Sequence, residues 1–362
     1  MKVLYINYID TRMGLSGAEV RPLKILNAFY EAGYEVISLT GEQTLSQRKK
    51  DINNFWNEVK GLKSDSNTIC YIESPTYPIW RSKDRKLIRE IHKKGIPIGY
   101  FYRDFYRKFS DQFHRRKGFI GRLKEFALDF LQWKTDKTLE CCDIIYFPSD
   151  EASKLFNFKT KISLPPAGTN SIISHKQKNN TGIYVGGIAE HYDVDLLLNT
   201  YESLYKEDDS FHLILVCRKE EWNEFNHPCK HAEWLEVHHT SKEGLITLYN
   251  RASLAFVCPN MSFPYNSFAV SVKIFEYISY GLPIVGINCN AMANIIKEYN
   301  LGVVSEPEIL SFANAIKKII VDDDTYNDYC ENVKQSLLNN HLWSHRVKKI
   351  VEDLSRFYEG NH

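Results

Sequence analysis

Short apolar runs, rich in β-branched and aromatic residues, alternate with amphipathic stretches along most of this chain. A parallel sheet covered by helices requires that pattern, because a strand buried on both faces is apolar throughout rather than at every second position. The first run is Val3 to Asn7, followed by a turn-rich loop from Asp10 to Gly17 and a helical pattern from Ala18 to Ala32. Pro22 falls in the first turns of that helix, where a missing N–H is tolerated, and Gly33 is placed to end it. Further strands are predicted over Glu35 to Leu39, Thr68 to Ile72, Ile96 to Tyr102 and Asp143 to Phe147.

The alternation breaks at Leu164 to Asn180, where two prolines, a glycine and a polar run read as a linker. It then restarts. Strands are predicted over Gly182 to Val185, His212 to Cys217, Trp234 to Val237, Leu254 to Val257, Ile284 to Ile287 and Gly302 to Ser305. Helices are predicted near Val194 to Tyr205, Lys242 to Asn250, Val272 to Tyr280 and Ile309 to Ile320. The expected architecture is therefore α/β, with two doubly wound Rossmann-like domains, 1–170 and 171–342, facing each other across a cleft. A length of 362 residues agrees with two cores rather than one. Trp343, Val347, Ile350, Val351, Leu354 and Phe357 share one helical face. The final segment, 343–362, is expected to return to the first domain; the alternative is that it caps the second.

Composition narrows the function classes. A net charge of +1 argues against a whole-molecule nucleic-acid binder and leaves any electrostatic partner to a local patch. Cys70, Cys217, Cys258 and Cys289 lie in or beside apolar runs, Cys141 and Cys142 are adjacent, and no cysteine or histidine pair has zinc spacing. Reduced thiols and a cytoplasmic location are the expectation. The amino terminus is interrupted by Asp10 and Arg12 too soon for a signal peptide, and no apolar stretch suits a spanning helix.

Ligands of open α/β sheets bind beyond the carboxyl ends of strands, at helix amino termini. Lys273 and Glu276 are three residues apart and share a helix face, with Val272, Phe275 and Ile278 turned to the buried side. Together they suit a nucleotide sugar: an ammonium neutralises diphosphate, and a carboxylate accepts hydrogen bonds from both ribose hydroxyls. An exposed helix salt bridge accounts for the same spacing. On the first domain, Asp104 follows an apolar strand in the run Phe101-Tyr-Arg-Asp-Phe-Tyr106. It is either an orienting or deprotonating group for an acceptor hydroxyl, or a capping or salt-bridged aspartate. From 107 to 133, basic residues are interleaved with Phe109, Phe113 and Phe119, then Phe119, Ile120, Leu123, Phe126, Phe130 and Trp133 follow helical spacing. Such a segment either lies in the interface of an anionic bilayer or packs its apolar face on the domain with its charges solvated.

The run Val272-Lys273-Ile274-Phe275-Glu276-Tyr277-Ile278-Ser279-Tyr280-Gly281-Leu282-Pro283 resembles the donor-site segment of GT-B glycosyltransferases, especially the large retaining family 4. That family repeats P-x-K-x-x-E-Y-x-x-x-G-x-P, which the run follows from Lys273 to Pro283. The resemblance implies that Glu276 binds ribose and Lys273 lies by the donor phosphates. The run from Tyr184 to Leu198 resembles the opening of the family's donor domain and gives Gly187 a place beside the phosphates. Arg218, after the strand ending at Cys217, fits the family's diphosphate-binding arginine or, equally, a solvated strand end. Phe147-Pro-Ser-Asp150 and Leu164 to Asn170 resemble the end of the acceptor domain, and Trp343-Ser344 the returning helix. Relatives carry an R-D or H-D pair where Arg103 and Asp104 stand. Gly14, Ser16 and Gly17 resemble the family's cleft loop, a plain turn being the alternative.

One departure bears on chemistry. The family often has a first glutamate that touches the donor sugar, and at its position stands Phe268. Asn266, Ser267 and the backbone N–H groups of the loop ending at Phe268 are then left to serve the sugar. The resemblance implies a nucleotide-sugar donor, a glycan, lipid-linked or protein acceptor, and no cofactor or metal, since Asp322 to Asp324 read as a solvated helix-end loop rather than a D-x-D site. A non-catalytic GT-B partner subunit and a nucleotide-sugar epimerase are the alternatives.

Overall fold

The computed structural model describes residues 1–9, 17–62, 67–109, 118–170, 178–241 and 243–359, without the side chains of 17–19, 108 and 359. The chain divides into two compact units, Met1–Pro165 with the segment from Trp343 onward, and Pro166–Leu342. The divide falls between the adjacent prolines Pro165 and Pro166, five residues before the expected linker boundary.

The N-terminal unit runs β1 (Lys2–Asn7), α1 (Gly17–Glu31), β2 (Glu35–Leu39), α2 (Ser46–Gly61), β3 (Thr68–Glu73), α3 (Ser82–Lys93), β4 (Ile98–Phe101), α4 (Phe119–Leu139), β5 (Ile144–Phe147), α5 (Asp150–Ser153) and β6 (Lys161–Ser163). Its strands form one parallel sheet in the order β2-β1-β3-β4-β5-β6. The order reverses between β1 and β3, a flavodoxin-like arrangement. Burial on both faces explains the apolar runs: every residue of β3, β4 and β5 is buried. Gly14 and Ser16 lie outside the described residues, and Gly17 opens α1.

The C-terminal unit runs β7 (Thr181–Val185), α6 (Val194–Glu207), β8 (His212–Val216), α7 (Lys219–Glu224), β9 (Leu235–His238), α8 (Glu243–Arg251), β10 (Leu254–Val257), α9 (Val272–Ser279), β11 (Ile284–Ile287), α10 (Ala291–Glu298), β12 (Gly302–Ser305), α11 (Ile309–Ile319) and α12 (Asp323–Asn340). Its parallel sheet has the order β12-β11-β10-β7-β8-β9, the Rossmann arrangement with its switch point between β7 and β10. Alternate strand residues feed two cores. Tyr184, Leu213, Leu215 and Phe256 pack with α6 and α11, while Ile183, Val185, Ile214 and Ala255 pack with α8, α9 and α10.

The last helix, α13 (Trp343–Glu359), packs on α1, β3 and β4 of the N-terminal unit. Val347, Ile350 and Leu354 on its apolar face are buried. Asp322 does not end a helix but starts one: its carboxylate accepts from Thr325 N–H at 2.7 Å, capping α12, whose first turn carries Asp323 and Asp324. Cys70, Cys217, Cys258 and Cys289 are buried free thiols. Burial pushes Cys217 and Cys289 up to about 11, so both stay protonated at neutral pH as small apolar groups. Among the described residues no helix is long and apolar enough to cross a membrane.

Candidate nucleotide-sugar site

The helix carrying Lys273 and Glu276 is fixed at both ends by its own sequence. At its start the Ser271 hydroxyl accepts from Lys273 N–H at 3.2 Å. At its end Gly281 takes φ 67°, while Gly281 N–H donates to Ile278 and Leu282 N–H to Tyr277. This paired closure needs a left-handed residue, which glycine supplies without strain, and Pro283 then leads into β11. Ile274, Phe275, Tyr277, Ile278 and Ser279 are buried. Val272, expected on the buried side, is only half-buried, because the first turn of so short a helix stands clear of the core.

Lys273 and Glu276 keep partial exposure, at 29% and 31%, and lie side by side, Nζ donating to Glu276 Oε2 at 2.7 Å. The other carboxylate oxygen accepts from Tyr249 OH of α8 at 2.9 Å. Tyr249 stacks on Tyr280 with ring centroids 4.4 Å apart. Burial, and then the charge of Glu276, push the Tyr249 phenol well above its ordinary value, so it stays a donor. The carboxylate is thus held on two sides, and its remaining lone pairs can accept further donors. Nothing in the sequence marked Tyr249, which lies 27 residues away and reaches Glu276 only through the packing of α8.

Tyr277 marks the switch point. β10 pairs with β7 only at Gly182 and Ile183. Beyond that divergence the Tyr277 hydroxyl takes the place of a ladder partner, accepting from Val185 N–H at 3.0 Å and donating to Val185 C=O at 3.3 Å. Tyr277→Phe leaves a buried N–H unsatisfied, at a cost of about 1–3 kcal/mol. The expected result is a lower melting temperature, read by thermal denaturation, with the phenylalanine ring still filling the core.

The loops after β7 and β10 are tied together. Asn266 Nδ2 donates to His191 C=O at 2.9 Å and to Asn260 C=O at 2.8 Å, and Asn260 Nδ2 to Glu190 C=O at 2.8 Å. The expectation that the Asn266 amide serves a sugar is corrected here, since its NH2 group is spent on carbonyls of the loops. The N–H groups of Asn266 and Phe268 are likewise engaged, with Phe263 and Tyr265 C=O, because residues 264–267 form a tight 3-10 turn. Ser267 takes no part in these bonds.

Gly187 lies in the loop after β7, its carbonyl accepting from Tyr184 OH at 2.6 Å. A Cβ there would stand 2.8 Å from the Tyr192 ring, so the glycine allows a close ring approach. Arg218 is 75% exposed and pairs with Glu221 at 2.5 Å. Glu221 also accepts from Ile188 N–H at 2.9 Å, which links the loops after β7 and β8. Arg218 therefore stands at a solvated strand end, within reach of the Gly187 loop through one carboxylate. Glu221 was not legible as a site residue.

In the N-terminal unit Asp104 follows β4, and its carboxylate takes Arg103 Nε at 2.8 Å and Nη2 at 2.7 Å. Arg103 N–H donates to Ser74 Oγ at 3.0 Å and Nη2 to Thr76 Oγ1 at 2.7 Å, joining the segments after β3 and β4. Asp104 is thus salt-bridged to its neighbour, which fixes the position of its carboxylate. Arg107 pairs with Glu125 at 3.1 Å and with Asp129, so its charge is neutralised within the segment. Among the described residues no group of three or more His, Cys, Asp or Glu side chains is placed to hold a metal ion.

Residues 170–336 match the family model described as glycosyl transferases group 1, a span that holds β7 to β12 and the Lys273–Glu276–Tyr249 cluster. The C-terminal unit belongs to the glycosyl transferases group 1 family. Solved GT-B glycosyltransferases share the fold of the whole chain. WaaG, a glycosyltransferase involved in lipopolysaccharide biosynthesis, is 15% identical over 98% of this chain and 99% of its own, with a TM-score of 0.59. A glycosyltransferase from Rickettsia africae ESF-5 is 11% identical over 99% and 98%, with a TM-score of 0.63. An alpha-glucosyltransferase in complex with UDP and a 13-mer DNA is 11% identical over 98% and 100%, with a TM-score of 0.60. At such identities the likeness is one of fold. No curated protein matches the chain in sequence. The expectation of no nucleic-acid partner therefore rests on the near-neutral charge alone. In this group 1 unit, the motif identified from sequence coincides with the helix head beside the switch point.

Proposed function

We propose that this glycosyltransferase takes a sugar from a nucleotide-sugar donor, a UDP-sugar in the favoured case, and passes it to a glycan, lipid-linked or protein acceptor in bacterial surface polysaccharide or glycoconjugate synthesis. The observation that carries the reading is the Lys273–Glu276–Tyr249 cluster at the head of α9, within a group 1 unit. In this reading Glu276 accepts the ribose hydroxyls while Tyr249 and Lys273 hold its carboxylate in place. Lys273 has two further N–H donors and turns them to the diphosphate. Negative charge grows on the leaving phosphate oxygen as the glycosidic bond breaks, and a fixed ammonium with nearby N–H groups stabilises it. Arg218 adds to that charge if Glu221 releases it. Ser267 and Gly187 are the remaining contacts assigned to the donor, and no metal or cofactor is required. Asp104, held by Arg103, is assigned to the acceptor hydroxyl. The exposed apolar stripe of α4 is read as a peripheral membrane face at the cytoplasmic side, which favours a lipid-linked acceptor.

The test is a thermal-shift series with UDP, other nucleoside diphosphates and their sugars. A ligand bound only by the native state at about 100 times its Kd adds about 2.7 kcal/mol of stability. A UDP-dependent rise in melting temperature is expected. If no nucleoside diphosphate moves it, the donor assignment falls.

Phe268 in place of a carboxylate, and the engaged N–H groups around it, favour one second reading. A non-catalytic partner subunit would bind donor yet turn over only when mixed with another chain.

A further inference from the structure

Phe119, Leu123, Phe126, Phe130 and Trp133 recur at steps of three and four residues and so line one face of α4. All are exposed, Phe119 by 80% and Phe126 by 74%. The buried positions of α4 are Thr135, Thr138 and Leu139, so this helix packs by its carboxyl end while its apolar face stays in water. Scattered exposed apolar residues are ordinary, but a contiguous stripe marks a binding surface.

At Trp133 the stripe meets a cavity of about 250 Å³ between α3 and α4, walled by Arg85, Lys86, Arg89, Lys134 and Lys137. No carboxylate lines it. Asp84 is committed to Arg48 at 2.8 Å, and of the cavity's cations Lys137 is paired, with Glu140 at 2.7 Å just outside the lining. Arg89 is held toward α4 by its bond to Thr138 Oγ1 at 3.3 Å, and Lys134 Nζ stands 4.4 Å from the Phe130 ring centre. Burial pulls the Arg85 guanidinium below its ordinary value, and the charge of Arg89 adds to it. Five cations thus line an opening that no carboxylate enters, and the one pair with Glu140 leaves the lining positive on balance.

We propose that this cavity binds the phosphate headgroup of an anionic phospholipid while the adjoining stripe of α4 enters the bilayer interface. The inference rests on reading α4 as a membrane face and adds a specific headgroup site to it. Charge complementarity selects an anion, and the apolar stripe selects a lipid over a soluble phosphate, which would leave Phe119 and Phe126 uncovered.

The test is co-sedimentation of the full chain with vesicles of pure phosphatidylcholine or of phosphatidylcholine mixed with phosphatidylglycerol. The chain should partition onto the anionic vesicles far more strongly, and less so as salt rises. Lys86→Gln/Arg89→Gln/Lys137→Gln alters three exposed cations outside the donor cluster. It should lower that partition by roughly tenfold or more, while the UDP-induced rise in melting temperature is unchanged. Phe126→Ser/Phe130→Ser should abolish binding to both vesicle types. If the triple variant binds like the parent while the stripe variant does not, the headgroup site is overturned and the membrane face stands. If the parent binds neither vesicle, both fall. Full displacement of the chain from vesicles by millimolar inorganic phosphate would place a free anion in the cavity and likewise overturn the lipid assignment.

Discussion

Glu276→Ala is expected to abolish the UDP-induced rise in melting temperature and to lower glycosyl transfer by two orders of magnitude or more, while the unliganded protein melts only a few degrees below the parent. The two halves of this expectation have separate physical grounds. In the absence of donor, Glu276 makes a partly exposed i,i+3 pair, a class worth well under about 1 kcal/mol, and accepts one hydrogen bond from Tyr249, worth about 1 kcal/mol. Their loss shifts melting by about 2–8 °C. With donor bound, the same carboxylate accepts two charge-assisted hydrogen bonds, each worth about 1.5–3 kcal/mol. Losing both weakens binding by roughly a hundredfold or more. Tyr249→Phe should act in the same direction and more weakly, since it frees the carboxylate to turn without removing it. Its effect belongs in the donor KM, by about threefold to tenfold, as expected for one neutral hydrogen bond. A Glu276→Ala protein that still responds fully to UDP would show that the pair on α9 is only a helix salt bridge.

How far the sequence shows this site depends on how local each feature is. The strands of the sheet centres were legible because burial on both faces makes them uniformly apolar; β10 and β11 have the boundaries the apolar runs give. β6 was not: its three residues Lys161, Ile162 and Ser163 are half-buried at a sheet edge, where a polar strand suffices. Asp322 to Asp324 are solvated as the sequence reads, but they open a helix rather than form a loop, because an acidic cluster suits both and only the Thr325 N–H decides between them. Lys273 and Glu276 could be paired from spacing alone, since i and i+3 meet on any helix. Tyr249, Glu221 and the true duties of Asn266 are set by loops and helices packing across the sheet edge, which no short window of residues records. Side-chain amides are especially easy to misassign in this way, because a loop's own carbonyls compete with any ligand for them.

The largest stability effect is expected from a residue no motif singled out. Arg48 in α2 and Asp84 in α3 are joined at 2.8 Å with both side chains fully buried. Arg48 Nη1 also donates to Asn7 C=O at 2.6 Å and to Gly41 C=O at 2.9 Å, and the guanidinium lies 4.3 Å from the Tyr8 ring centre. One cation thus satisfies carbonyls at the carboxyl ends of β1 and β2, the edge where an α/β sheet presents its loops. Arg48→Met removes all of these bonds at once and leaves the Asp84 carboxylate buried without its partner. Breaking a buried pair in this way costs about 3–5 kcal/mol, which corresponds to roughly 6–20 °C in melting temperature at this size. Arg48→Met/Asp84→Leu should recover part of the loss, because no unpaired charge then remains, but not all of it, because the two carbonyls stay without donors. The two units need not melt together, so the scan is run with and without UDP. The transition that falls in Arg48→Met should be the one UDP does not raise, since Arg48 belongs to the N-terminal unit and the donor cluster to the other. A melting temperature for Arg48→Met within about 2 °C of the parent would mean that the pair offsets little more than its own desolvation.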